Sequence, residues 1–146
     1  MRYFKIILVC SILCTMCTAS FAGGQLPQEK PSKENPTQLL VLWTSGDREV
    51  ALNMVFMYTF NAKKYGWWDT IRFIVWGPSS RLLSEDEELQ GEIQKMKDVG
   101  IELYACKACS DNYGVSDKLK ELEIDVKYIG KDFTSMLKQG WVCLTF

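Results

Sequence analysis

Gln38-Leu39-Leu40-Val41-Leu42-Trp43-Thr44-Ser45-Gly46-Asp47 opens the folded part of the chain. Its apolar side chains follow one another without polar alternation. That pattern describes a strand buried on both faces, as in a parallel sheet covered by helices. Thr44 to Asp47 then end the strand in a tight turn. The next stretch, Arg48 to Tyr65, reads as a helix closed by Gly66. It is apolar nearly all round, at Val50, Leu52, Met54, Val55, Phe56, Met57, Tyr58 and Phe60. A surface helix carries a single apolar stripe. This one is therefore expected to be central, or covered on its outer face by another subunit.

The same alternation runs on to the last residue. Thr70 to Trp76 is a second strand, apolar apart from Thr70 and Arg72 and stopped by Gly77-Pro78, and Gly77 to Ser80 is expected to be a loop. Ser84 and Glu87 have the spacing of a capping box, in which a serine caps a helix and a glutamate three residues on reaches back. Leu89, Ile93 and Met96 follow at helical spacing, Gly91 interrupts them, and Gly100 marks the stop. Ile101 to Ala105 is a third strand. Ser116 or Asp117 is expected to cap a short helix through Leu122. Ile124 to Ile129 alternates like a half-exposed strand, Asp132 to Gln139 reads as a last helix, and Trp141 to Phe146 as a last strand. The fold class is α/β: a three-layer α/β/α sandwich with a mainly parallel five-stranded sheet and helices on both faces. The two continuous runs belong in its middle and the alternating fourth strand towards an edge.

Ahead of this domain, at 38–146, lie two segments of other character. Residues 1–22 have the composition of an export signal, with Arg2 and Lys5, an apolar run from Ile6 to Cys17, and small residues at Ser20 and Ala22. Cleavage is expected after Ala22, giving a periplasmic or secreted protein with no membrane attachment. A retained anchor is the lesser alternative, because the run falls short of the roughly 20 residues of a comfortable span. Residues 23–37 read as a flexible polar tether containing Pro27, Pro31 and Pro36. Removing the signal leaves 15 basic against 18 acidic residues and takes away Cys10, Cys14 and Cys17. No basic stripe with interleaved aromatics is present, which argues against nucleic acid as a partner.

The chain contains no histidine. Ser-His-Asp and Cys-His catalysis, HExxH zinc sites and histidine pH switching are thereby excluded. Chemistry then falls to the cysteines of the mature chain, Cys106, Cys109 and Cys143. Three thiols without histidine make a poor zinc site, so no metal and no cofactor are expected. Cys106 and Cys109 form a CxxC where the third strand gives way to a helical turn. A helix start favours thiolate over thiol, and Lys107 adjoins Cys106. Cys106 is the candidate reactive sulfur and Cys109 its resolving or disulfide partner. Cys143 lies between Val142 and Leu144 in a strand and is expected to be core packing. Ligands meet sheets of this kind at the carboxyl ends of the strands. That edge gathers Thr44 to Asp47, Gly77 to Ser80, and the CxxC. The backbone N–H groups of Thr44-Ser45-Gly46 are a weaker candidate, for an anion.

The β-α order, the Gly100-Ile101 lead-in and the segment Cys106 to Val115 resemble the DsrE/DsrF/TusD-like family of small sulfur-relay proteins, including its YchN-like branch. The likeness extends over residues 38–146. Its register selects Cys106, followed eight residues on by Gly114-Val115. The resemblance implies a three-layer domain assembling as a trimer or hexamer, with the cysteine edge near a subunit interface. It also implies a cysteine that accepts and passes on a persulfide between donor and acceptor proteins. This chain differs in its export signal and in carrying Cys109. Three readings stand together: sulfane-sulfur handling on Cys106, CxxC thiol–disulfide exchange, and a non-enzymatic oligomeric binding module that uses its cysteines structurally.

Overall fold

The computed structural model describes residues 37–146. The predicted signal, most of the tether, and Cys10, Cys14 and Cys17 lie outside the described residues. Five strands, β1 (Gln38–Trp43), β2 (Thr70–Val75), β3 (Glu102–Cys106), β4 (Asp125–Lys127) and β5 (Val142–Thr145), form one sheet in the order β4-β3-β2-β1-β5. Every neighbouring pair is parallel. The continuous apolar runs are interior, and the alternating fourth strand is an edge.

The two faces are unequally covered. In β1 and β2, Leu39, Val41 and Trp43 stand beside Ile71, Phe73 and Val75. These six side chains meet residues from 51–64, 78–98 and 116–121 in the larger core. Trp43, Phe56 and Phe73 form its aromatic centre, with Trp43 edge-on to Phe56 at 5.1 Å between ring centroids and Phe56 5.6 Å from Phe73. The opposite face, with Leu40, Ile74 and Cys106, packs against the residues of a single helix and its flanks, Ile129, Phe133, Met136 and Trp141. The asymmetry follows from strand order. Right-handed crossovers from β1 through β4 step the same way and place their helices together, and only the return from β4 to β5 crosses behind.

The first connection is a helix in three parts: α1 (Arg48–Val50), a π-helical stretch (Ala51–Phe56) and α2 (Met57–Lys64). The Asp47 carboxylate caps it, accepting from the Glu49 and Val50 N–H groups at 2.8 and 3.1 Å. Gly66, at φ 67°, turns the chain out of it, with the Gly66 and Trp67 N–H groups donating to Lys63 and Ala62 carbonyls. Ala51, Val55, Phe56, Thr59 and Ala62 face the core. Met54 and Met57 on the outer side are 52% and 54% exposed, so the helix is not central.

Between β2 and β3 the structure departs from the capping-box expectation. Pro78, at the first position of α3 (Pro78–Glu85), starts a helix where a loop is predicted. Asp86, not Ser84, caps α4 (Glu87–Asp98), accepting from the Leu89 N–H at 3.1 Å. The Ser84 hydroxyl donates instead to the Arg81 carbonyl, and Gln90 donates to the Leu83 and Ser84 carbonyls that end α3. Asp86 also accepts from Arg48 Nε at 2.7 Å, tying α4 to the first helix. Asp86→Ala should therefore cost about 1–2 kcal/mol in denaturant unfolding at neutral pH. The Leu89 N–H, then Arg48, hold the Asp86 carboxyl below its ordinary range against opposing desolvation. The folded pKa is depressed, so the contribution is present above the unfolded value near ~3.9 and fades as pH falls through the folded one. The stability gap between wild type and Asp86→Ala should close on acidification.

No close approach explains Gly91, since a β-carbon there would meet nothing within 4 Å. Gly91→Ala should stabilise the protein by about 0.5–1 kcal/mol, read as a higher denaturation midpoint. The remaining helices are α5 (Lys107–Asn112), α6 (Ser116–Glu121) and α7 (Gly130–Lys138), the last being the main cover of the second face among the described residues. Neither Ser116 nor Asp117 caps α6. Val115 holds that position, and Ser116 bonds Ser110 and Asp111 instead.

Candidate functional site: a thiol pair under a single helix

Cys106 is both the last residue of β3 and the N-cap of α5, with no turn between them. Its backbone is still extended, at φ −72° and ψ 108°, so its side chain keeps the strand's alternation and points to the second face with Tyr104. Cys109 stands one helical turn on and joins the same cluster. The two thiols therefore stand together on the second face. Burial, and then the neighbouring Cys106 thiol, push the Cys109 thiol up, while the Gly77 backbone N–H pulls partly the other way. Cys106 is 6% exposed and Cys109 is half-buried, both free thiols.

The walls around the pair are aromatic and apolar. Trp76 extends β2 by one residue, its N–H donating to the Trp43 carbonyl at 2.9 Å, and stands level with Cys106. Phe133 of α7 meets the Trp76 ring edge-on at 5.5 Å, and Ile129 packs beside them. On the other side Lys127 of β4 is the direct register partner of Cys106. Its ammonium lies 4.3 Å over the Tyr104 ring and pairs with Asp125 at 3.2 Å and Asp132 at 3.1 Å.

Several predicted site residues take other places. Lys107 does not face the thiol. Its ammonium bonds Asp111 at 2.5 Å in a polar cleft of about 310 Å³ with Ser116, Asp117 and Lys120. The Thr44 and Ser45 N–H groups donate to the Phe146 carbonyl at 2.7 and 3.1 Å, so they are not free for an anion. Gly77, at φ 75°, supplies the turn from β2 into α3, and Ser79 is buried with its hydroxyl on the Trp43 carbonyl at 2.7 Å. Cys143 packs against the second core from β5. Three strand spacings of about 4.8 Å separate β5 from β3, so Cys143 sits roughly 14 Å to the side of the pair, too far for a disulfide with it. Among the described residues no three of His, Cys, Asp and Glu come together as metal ligands would.

Trp76, Phe133 and Lys127 were not candidates on sequence. Lys127 carries one faint signal, its place in an alternating strand, but nothing in the sequence gives that strand's register against Cys106.

The DsrE/DsrF-like family model matches residues 45–146 of the chain. Among solved structures, a conserved protein of unknown function from Bacteroides thetaiotaomicron is 38% identical and superposes with a TM-score of 0.73, over 75% of this chain and 95% of that one. No curated protein matches the chain significantly.

Proposed function

We propose that this chain, which belongs to the DsrE/DsrF-like family, is an exported sulfur-handling protein that carries sulfane sulfur as a persulfide on Cys106. Family membership supports a role related to sulfur relay. The observation that carries the finer reading is the thiol pair itself: two free thiols one helical turn apart at a strand–helix junction, packed in one cluster with Trp76 and Phe133.

The chemistry is the following. The Cys106 thiolate attacks the outer sulfur of a sulfane donor. A new S–S bond forms, the donor's S–S bond breaks, and the donor's remainder leaves with the electron pair. With thiosulfate the leaving group is sulfite and the product is the Cys106 persulfide. An acceptor thiolate then takes the outer sulfur and returns Cys106 as thiolate. Alternatively the Cys109 thiolate attacks the Cys106 sulfur, forms the Cys106–Cys109 disulfide and expels hydrosulfide. An external dithiol must then reduce that disulfide. The shielded walls exclude water from the persulfide and slow its loss. The signal-like composition of residues 1–22 supports work outside the cytoplasm. The exposed Met54, Met57 and Trp67 support assembly with further copies.

Intact-mass analysis tests the proposal. After incubation with thiosulfate or polysulfide, mature protein should gain about 32 Da, reversed by reductant. The placing of both thiols in one cluster also favours a second reading, thiol–disulfide exchange without added sulfur. A mass about two units low with no sulfur uptake, together with turnover of a model disulfide, would select it.

A further inference from the structure

We propose that Lys127, not Lys107, is the cation that serves the Cys106 sulfur and makes the site selective for anionic sulfur donors such as thiosulfate. The assignment rests on the sulfur-handling reading. Its basis is register. Cys106 and Lys127 are opposite residues of adjacent parallel strands, so their side chains leave the sheet on the same face about 4.8 Å apart. The Lys127 stem then runs back along β3, and its ammonium rests on the ring of Tyr104, two residues before the thiol on that face. Trp76 closes the opposite side of Cys106 with an uncharged indole. An approaching donor therefore meets apolar surface around the thiol, with the Lys127 ammonium two residues back along β3.

The other charges nearby are already committed. Arg72 bonds Glu102 at 2.8 Å and lies 4.7 Å over the Trp141 ring. Tyr104 donates to Glu102 at 2.8 Å. Lys107 is turned into its cleft with Asp111. The two counter-ions of Lys127 are of another kind. The side chains of Asp125 and Asp132 are 56% and 53% exposed, and pairs of that sort are weak and exchange readily with solvent. An ammonium has three donors, so a donor's sulfonate oxygens can take the place of either carboxylate. Asp132 lies in the first turn of α7, the helix over the thiols, and competes for the ammonium that would bind the donor.

This predicts opposite effects of two substitutions. Iodoacetate and iodoacetamide alkylate a thiolate by the same displacement, with iodide leaving, and differ in charge. The ratio of their rates at Cys106, followed by peptide mass mapping on mature protein, reports attraction of anions without any sulfur transfer. Lys127→Met should lower the ratio about threefold to tenfold, as expected for removing one partly screened charge. Lys127→Arg should restore it, and Asp132→Asn should raise it. Thiosulfate loading should follow the same order. An unchanged ratio in folded Lys127→Met and Asp132→Asn proteins overturns the role of Lys127 and leaves the persulfide reading standing. A wild-type Cys106 that alkylates normally but takes up sulfur from neither thiosulfate nor polysulfide overturns the persulfide reading and the donor selectivity with it.

Discussion

Cys106→Ser should leave the protein folded and abolish its uptake of sulfane sulfur. Sulfur and oxygen differ little in size at this position, so the cost to the second core is expected to be small. The chemical loss is total, because a hydroxyl does not form a stable persulfide. Cys109→Ser should behave differently. The attack that expels hydrosulfide is removed, so the added mass of about 32 Da should persist longer than in wild type, and no disulfide should form between the two positions. The pair of variants assigns roles through one intact-mass series. Equal uptake by wild type and Cys106→Ser would sink the assignment of Cys106. Equal persistence in wild type and Cys109→Ser would remove Cys109 from the release step and return it to packing.

Trp43→Ala should cost about 3–5 kcal/mol, a large part of the stability of a domain this size, and bring unfolding near working temperature. Trp43 is fully buried, meets both Phe56 and Phe73, and occupies the face that carries most of the helices. Truncation opens a cavity between β1, β2 and the first helix that rigid strands cannot close. Trp43→Phe tests the cause. The indole Nε1–H is buried without a hydrogen-bond partner, so replacing it by a phenyl ring removes an unsatisfied donor along with some volume. Its cost should stay below about 1.5 kcal/mol. Urea unfolding of both variants beside wild type gives the comparison. A Trp43→Phe protein as unstable as Trp43→Ala would mean that indole shape, rather than burial, governs this site.

Much of the architecture is legible in the sequence because strand type and order are written in local patterns. The continuous runs at Leu39–Trp43 and Ile71–Val75 specify interior strands, and the alternation through Asp125–Lys127 an edge. The misread places share a cause. Ser84 and Asp86 both suit a helix start, and the choice between them is made by Arg48, a residue distant in sequence whose guanidinium reaches Asp86. Lys107 adjoins Cys106 in sequence yet faces away, because an i,i+4 aspartate captures it along α5. Lys127 lies 21 positions from Cys106 and stands beside it through a strand pairing that no local pattern encodes. The thiols were readable from the CxxC and its place after a strand, whereas their walls belong to three separate elements.

The π-helical stretch at Ala51–Phe56 bears on how relatives of this chain should be aligned. A π-helical turn usually holds one residue more than the α-helical turn it replaces, and here the surplus is absorbed inside an element rather than in a loop. A relative with an ordinary helix between its first two strands can therefore be one residue shorter while keeping both ends of that helix on the sheet. The gap between the two sequences then belongs among residues 51–56. An alignment that moves it to the turn before Arg48 or to the one after Lys64 would pair core positions of one protein with surface positions of the other along half of the helix.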